Sequence, residues 1–180
     1  MQVSEEDGEK KKRPLRKITK QRLKNIALYY LQRFESSVDN LRRVLQKRVS
    51  DYAYQNKDYD RSEALDWIEE ILVEFQGYNY LNDNRFAELR IRDYLAAGKS
   101  EKYIRGKMAE KGVAESVVAA VLAEQEFDPY ENALLLAKKK HIGPFRSEAL
   151  RTEFRQKDMA ALARAGFDYD VVQRVMETEV

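Results

Sequence analysis

The feature that most restricts the fold of this chain is an internal repeat. The segment GVAESVVAAVL, beginning at Gly112, superposes without a gap on GFDYDVVQRVM, beginning at Gly166. Gly112 matches Gly166, Val113 matches Phe167, Val118 matches Val172 and Leu122 matches Met176. In both, a short helix ends at glycine, an apolar residue follows and a new helix begins. Glycine enters the left-handed backbone without side-chain strain, so it ends a helix and sets the direction in which the chain leaves. A looser first copy precedes these two: Leu45 and Val49 end its short helix, and Ser62–Phe75 follows after an insertion. Units of this kind bury their open faces against their neighbours and stack into an extended body.

The pattern between the glycines is helical. Leu23, Ile26, Ala27, Tyr30, Leu31 and Phe34 form one apolar stripe, and Val38, Leu41, Leu45 and Val49 form the next, with Ser37 as N-cap. Asp51–Arg61 reads as a polar, tyrosine-rich loop, and Ser62 as the cap of a helix carrying Leu65, Ile68, Ile71, Leu72 and Phe75. Trp67 belongs to that helix's buried face or to a junction. Asn82 or Asp83 caps a helix through Phe86, Ile91, Tyr94 and Leu95, and Gly98 ends it. Ser100 starts a short helix with Tyr103, Ile104 and Met108, stopped at Gly112; Glu115–Gln125 follows. Asp128, Pro129 and Glu131 occupy N-cap, N1 and N3 of a helix reaching about Lys140, and Gly143-Pro144 interrupts before the last helices. No strand alternation is sustained.

The expected fold is therefore all-α: tandem repeats of three-helix units forming an elongated, curved body. The expected divisions are a basic flexible N-terminal arm (1–18), a first three-helix unit with an inserted loop at 51–61 (19–76), a second unit (77–124) and a third (125–180). Composition agrees. Charged residues make up 36% of the chain, against about 25% in a typical globular domain, and only 3 Pro and 7 Gly interrupt the helices.

The residues offer little chemistry. There is no cysteine, so disulfides, thiolate metal sites and a cysteine nucleophile are excluded. The single histidine, His141, sits among cations at a helix end and reads as a surface residue. Gly98-Lys99-Ser100 lacks the upstream glycine of a phosphate-binding loop. Acidic pairs such as Glu69/Glu70 read as a solvated face. No enzyme, cofactor or metal is expected. No apolar run is long enough to span a membrane, and Met1–Lys17 lacks a signal-peptide core, which points to a cytoplasmic protein.

The net charge is only +2, so the placement of charge matters more than its sum. Lys99, Lys102, Arg105, Lys107 and Lys111 load the short middle helix and its approach, while Ile104 and Met108 point inward. Lys138, Lys139 and Lys140 end a later helix, and Arg146 follows. Cations at a helix C-terminus complement the dipole, whereas Lys99 and Lys102 lie at a helix start, where they oppose it. The arm's KKKRPLRK is a further cluster suited to phosphates.

YLNDNRFA at Tyr80, Gly98-Lys99, Ile104-Arg105, Lys111-Gly112-Val113 and the closing LARAGFDYDVVQRVM together resemble the RecX family of regulators of the RecA recombinase. Asn79 stands where that family often has glycine, Ser100 where a second glycine is common, and Arg90 where an aromatic is frequent. The insertion and the basic arm are not core family features. The resemblance implies tandem three-helix repeats that bind in the groove of the RecA–DNA filament. It implies a regulator of homologous recombination and DNA repair that limits filament extension, ATP hydrolysis and strand exchange, without catalytic activity. The expected partners are the RecA filament and the single-stranded DNA within it, with weak direct DNA binding as an addition and a monomer as the acting form. The alternative reading is a helical DNA-binding protein acting without RecA. Its binding would weaken steeply with salt and need no recombinase.

Overall fold

The structure, a computed structural model, describes residues 15–179. The described residues form α-helices and one short 3₁₀ turn, with no strand. In order they are α1 (Lys20–Leu31), α2 (Val38–Gln55), α3 (Ser62–Gly77), α4 (Asp83–Ala96), α5 (Glu101–Glu110), α6 (Glu115–Ala123), α7 (Pro129–Lys140), the turn Gly143–Phe145, α8 (Glu148–Arg164) and α9 (Tyr169–Met176). The expected basic arm lies mostly outside the described residues. Of it, only 15–18 is seen, as an extended segment anchored by buried Ile18.

Strong helix packing is confined to three groups: α1–α3, α4–α6 and α7–α9. Each group owns a separate core. Leu23, Leu41, Leu45, Ile68, Ile71 and Phe75 anchor the first. Phe86, Ile91, Ile104, Met108 and Val118 anchor the second. Ala133, Leu162, Phe167, Val172 and Val175 anchor the third. Each fully buried leucine or isoleucine contributes roughly 1.5–3 kcal/mol by leaving water. The stacked helical groups are the all-α repeat architecture read from the sequence.

Side-chain caps start most of these helices. Thr19, Ser37, Asn82, Ser100 and Asp128 each accept a bond from a backbone N–H in the first turn, worth about 1 kcal/mol apiece. Gly98, Gly112 and Gly166 take positive φ values of 72°, 70° and 96° at the ends of α4, α5 and α8. Asn79 and His141 adopt the left-handed backbone too, at φ 57° and 52°. His141 is exposed and closes α7, as its place after the lysines suggests.

Several local expectations are corrected. The 51–61 segment is not all loop: α2 continues to Gln55, because Tyr52 extends the stripe of Leu45 and Val49 onto the first core. The ring of Tyr59 then packs edge-on against Tyr52, 4.9 Å between centroids. Ser62 does not cap α3; the Asp60 carboxylate accepts from its N–H and hydroxyl instead, at 2.9 and 2.8 Å. Ala64 takes the buried position expected for Leu65, which is exposed. Phe34 lies beyond the end of α1 and is exposed, resting on Tyr30. Glu69 and Glu70 are not simply solvated; they pair with Arg42 and Lys20. α6 ends at Ala123, and α8, running from Glu148 to Arg164, is not short. Trp67 is half-buried against the first core, in keeping with a packing role.

Candidate interaction surface

The three groups meet at two joints built on one plan. Ser37 caps α2, accepting from Asn40 N–H at 3.1 Å, and its hydroxyl donates to the Lys111 carbonyl at the end of α5. Ser100 caps α5, accepting from Tyr103 N–H at 3.2 Å, and donates to the Ala165 carbonyl at the end of α8 at 2.7 Å. Each accepting carbonyl precedes a left-handed glycine, Gly112 or Gly166. Each glycine lies against the capping serine or against the residue two positions after it. A Cβ on Gly112 would sit 2.3 Å from Asp39 Cβ; one on Gly166 would sit 2.5 Å from Ser100 Oγ and 3.2 Å from Lys102 Cβ. The glycines are thus required twice, by backbone conformation and by close approach.

The first joint is further closed by charge. Arg85 of α4 pairs with Glu35 at 2.7 Å, and the Asp83 carboxylate accepts from Val38 N–H at 2.9 Å. Asp39 pairs with Arg42 and Arg43, at 3.0 and 2.5 Å. Arg43 also donates to the Glu110 carbonyl at 2.7 Å, and Lys111 reaches the Asn40 side chain at 3.1 Å.

The second joint is closed by neutral contacts. Asn132 Nδ2 donates to the Lys99 carbonyl at 2.9 Å, and Gly98 packs directly against the backbone of α7. Two grooves meet there, both lined by Ser100. One, of about 220 Å³, is lined by Lys99, Tyr103, Lys140 and Arg164. The other, of about 400 Å³, is lined by Lys102, Arg105, Phe127 and Phe167. Lys99 lies 4.9 Å from the centre of the Tyr103 ring, a cation–π contact.

The expected contact residues therefore separate. Lys99, Lys102 and Lys140 come together at the second joint, and none forms an ion pair among the described residues. Lys139 is beside them, its Nζ 3.5 Å from the Ala96 carbonyl, and Lys138 is exposed on the same last turn of α7. Arg105 lines the groove but is held by Glu101 at 2.6 Å and by Glu115. Lys107 is engaged by Glu110 at 2.7 Å, and that hydrogen bond raises its pKa. Lys111 lies at the first joint instead. Arg146 is bound to the buried carboxylate of Asp158 through 2.8 and 2.7 Å hydrogen bonds, and Asp158 also accepts from Gly143 N–H at 2.9 Å. Arg146 holds the 3₁₀ turn on α8 and has little freedom for a partner. Its hydrogen bond to Asp158, foremost, keeps that carboxyl below its usual pKa in spite of burial.

Arg164 was not singled out from the sequence. The signal was present in the repeat: counting back from the glycines, Arg164 occupies the position of Glu110. The serines align in the same way, so Lys102 occupies the position of Asp39. The two joints share backbone geometry and carry opposite charge at these two positions. No group of carboxylates or histidines able to hold a metal ion occurs among the described residues, and no described helix is long and apolar enough to cross a membrane.

Comparison with known proteins gives these features a context. Residues 82–122 match a family model described as RecX, second three-helix domain. The chain is 37% identical over 170 residues to the regulatory protein RecX of Myxococcus xanthus, covering 93% of this chain and 90% of that one. It is 29% identical over 154 residues to the regulatory protein RecX of Agrobacterium fabrum, covering 85% and 80% of the two chains. Two crystal structures share the fold. That of a regulatory protein RecX aligns with a TM-score of 0.64 at 21% identity, over 88% of this chain and 72% of the other. That of RecX from Lactobacillus salivarius aligns with a TM-score of 0.57 at 19% identity, over 88% and 94%. By the extent of its match to the Myxococcus protein, and by the helical repeats it shares with the solved structures, this chain belongs to the RecX family.

Proposed function

We propose that this chain is a regulator of homologous recombination and DNA repair that binds in the groove of the RecA–DNA filament. There it limits filament extension, ATP hydrolysis and strand exchange, as a monomer in the cytoplasm and without chemistry of its own. The contact surface is the second joint, with Lys99, Lys102, Lys140 and Arg164 at its centre and Lys138 and Lys139 beside them. One observation carries this reading: cations that form no ion pair among the described residues gather at the second joint, and two of them, Lys102 and Arg164, stand where the first joint has the engaged acids Asp39 and Glu110. Stability gives no reason for Lys102 to stand at the positive end of the α5 dipole. A surface of phosphates and acidic side chains does, and it releases counterions when neutralised.

The test is DNA-dependent ATP hydrolysis by RecA, titrated with the purified protein. Hydrolysis is expected to fall at or below one protein per recombinase, while the protein alone hydrolyses nothing. Unchanged hydrolysis together with unchanged filament assembly overturns the proposal. Equal binding to naked DNA and to the filament would instead favour a DNA-binding protein that acts without RecA.

A further inference from the structure

The first unit holds a cavity of about 480 Å³ that the second joint does not involve. One wall is a single face of α1, where Arg22, Asn25 and Tyr29 follow one another at helical spacing. The opposite wall is the face of α2 carrying Arg48, Asp51 and Tyr52. The extended segment before α1 closes it, bringing Arg16 to the rim. Burial of Ile18 and a 3.3 Å bond from Leu15 N–H to Gln55 Oε1 fix that segment.

The charges around this unit are distributed unevenly. Lys20 and Lys24, on another face of α1, are each paired with a glutamate of α3, Glu70 and Glu74. Arg16, Arg22 and Arg48 form no ion pair among the described residues, and the one carboxylate in the wall, Asp51, is bonded to Lys47 at 3.3 Å. Arg22 Nε is buried and has no hydrogen-bond acceptor among the described residues. A buried guanidinium N–H without an acceptor carries a desolvation cost that an anionic ligand would remove. Guanidinium groups grip phosphate oxygens through paired N–H donors, which an ammonium cannot do. The Tyr29 ring lines the same cavity, is 57% exposed, and has the Arg33 guanidinium 4.4 Å from its centre. A phosphate grip beside an accessible aromatic ring suits a base attached to that phosphate.

We propose that the Arg16–Arg22–Arg48 cavity is a binding site for a nucleoside phosphate, with the phosphate on Arg22 and Arg48 and the base against Tyr29. The cavity accommodates one nucleotide, free or as a unit of a single strand. The site stands apart from the recombinase reading, and its test uses the protein alone.

Binding of dTMP is measured by calorimetry, and binding of a fluorescein-labelled oligothymidine by anisotropy, with circular dichroism as the folding control. Arg22→Ala/Arg48→Ala is expected to weaken dTMP at least tenfold. Lys20→Ala/Lys24→Ala removes the same charge from another face of α1 and is expected to leave dTMP binding unchanged. Arg22→Lys/Arg48→Lys keeps charge without the paired donors and is expected to fall between them. Tyr29→Ala is expected to weaken dTMP several-fold and inorganic phosphate not at all. Tighter binding of the oligomer than of dTMP identifies a strand as the source of the phosphate; equal binding identifies free nucleotide. The proposal is overturned if dTMP does not bind the parent, if the arginine and lysine pairs lose equally, or if a glutamate-rich peptide displaces the oligomer where dTMP fails.

Discussion

At the first joint Asp39 and Glu110 occupy the places that Lys102 and Arg164 occupy at the second. The backbone work is the same: a capping serine donates to the last carbonyl before a left-handed glycine. The electrostatic work differs. Asp39 is consumed by Arg42 and Arg43, and Glu35 by Arg85, so these carboxylates of the first joint are satisfied within it. The second joint relies on serine, asparagine and glycine, and its Lys99, Lys102, Lys140 and Arg164 form no ion pair among the described residues. A repeat fold separates these two tasks cleanly, because the angle between units is set by main-chain contacts and the side chains around them are then unconstrained by it. The first joint reads as a structural link, and the second as a structural link that also displays charge.

If the scaffold is shared, equivalent core positions should cost the same to empty. Ile104 of α5 aligns with Leu41 of α2, and both are fully buried. Ile104→Ala and Leu41→Ala are each expected to cost roughly 2–5 kcal/mol, the range for large-to-small changes in a packed core. Urea or thermal unfolding measures both. A melt indistinguishable from the parent for either one would place that residue outside the core and break the alignment of the units.

The glycines come next. Gly112→Ala would meet Asp39 Cβ, which is fixed to the backbone, while being forced to keep φ near 70°. The strain and the overlap together are expected to cost roughly 2–4 kcal/mol. Gly166→Ala meets the Ser100 hydroxyl first, which can rotate away at the expense of its bond to Ala165. Its cost is expected to be smaller. Equal unfolding midpoints for Gly112→Ala and the parent would mean that the first joint opens without loss, and is not the tighter of the two.

Much of this scaffold is legible in the chain itself. The caps Ser37, Asn82, Ser100 and Asp128 and the stops Gly98, Gly112 and Gly166 are local signals, and each is found where the sequence places it. Most of the failures share a cause. α2 overruns its expected end because Tyr52 finds the core of its own unit, a tertiary contact that the tyrosine-rich composition hides. Arg105 looks like a displayed cation until Glu115 of the next helix reaches it. Arg146 looks like one until Asp158 does. Pairing decides which cations are free: Glu101 and Glu110, the partners of Arg105 and Lys107 within α5, are legible in helical spacing, whereas Glu115 and Asp158 are brought up only by the fold. The grouping of Lys99, Lys140 and Arg164 at one groove has the same character, since α7 and α8 meet α5 only in the fold.

The third unit supplies a contrast in burial. Asp158 is 2% exposed, where Asp39 at the first joint is partly open. The Arg146 hydrogen bond lowers the Asp158 pKa in the folded protein, so the unfolded chain binds its proton more readily. The resulting stabilisation is complete above the unfolded carboxylate value, near 3.9, and is lost as pH falls through the lower folded value. Melting temperature followed from pH 6 downward is expected to drop more steeply for the parent than for Asp158→Asn. Parallel curves would show that this pair does not link folding to pH.

The smallest effect on stability is expected from the cations that distinguish the two joints. Lys99→Ala/Lys102→Ala/Lys140→Ala/Arg164→Ala breaks no ion pair among the described residues, so its unfolding should lie within about 0.5 kcal/mol per site of the parent. Arg105 is left intact because Glu101 and Glu115 hold it in the fold. Affinity for the RecA–DNA filament should fall nonetheless, and its dependence on salt should become shallower. Removing one cation that neutralises a phosphate reduces the log–log slope by about 0.7 for single-stranded DNA. The matched control is Lys111→Ala, which removes a cation from the first joint, and it should leave that slope unchanged. Filament binding at several salt concentrations decides between the joints. An unchanged slope for the quadruple variant, or an equal drop from Lys111→Ala, would mean that the unpaired charge of the second joint is not what meets the filament.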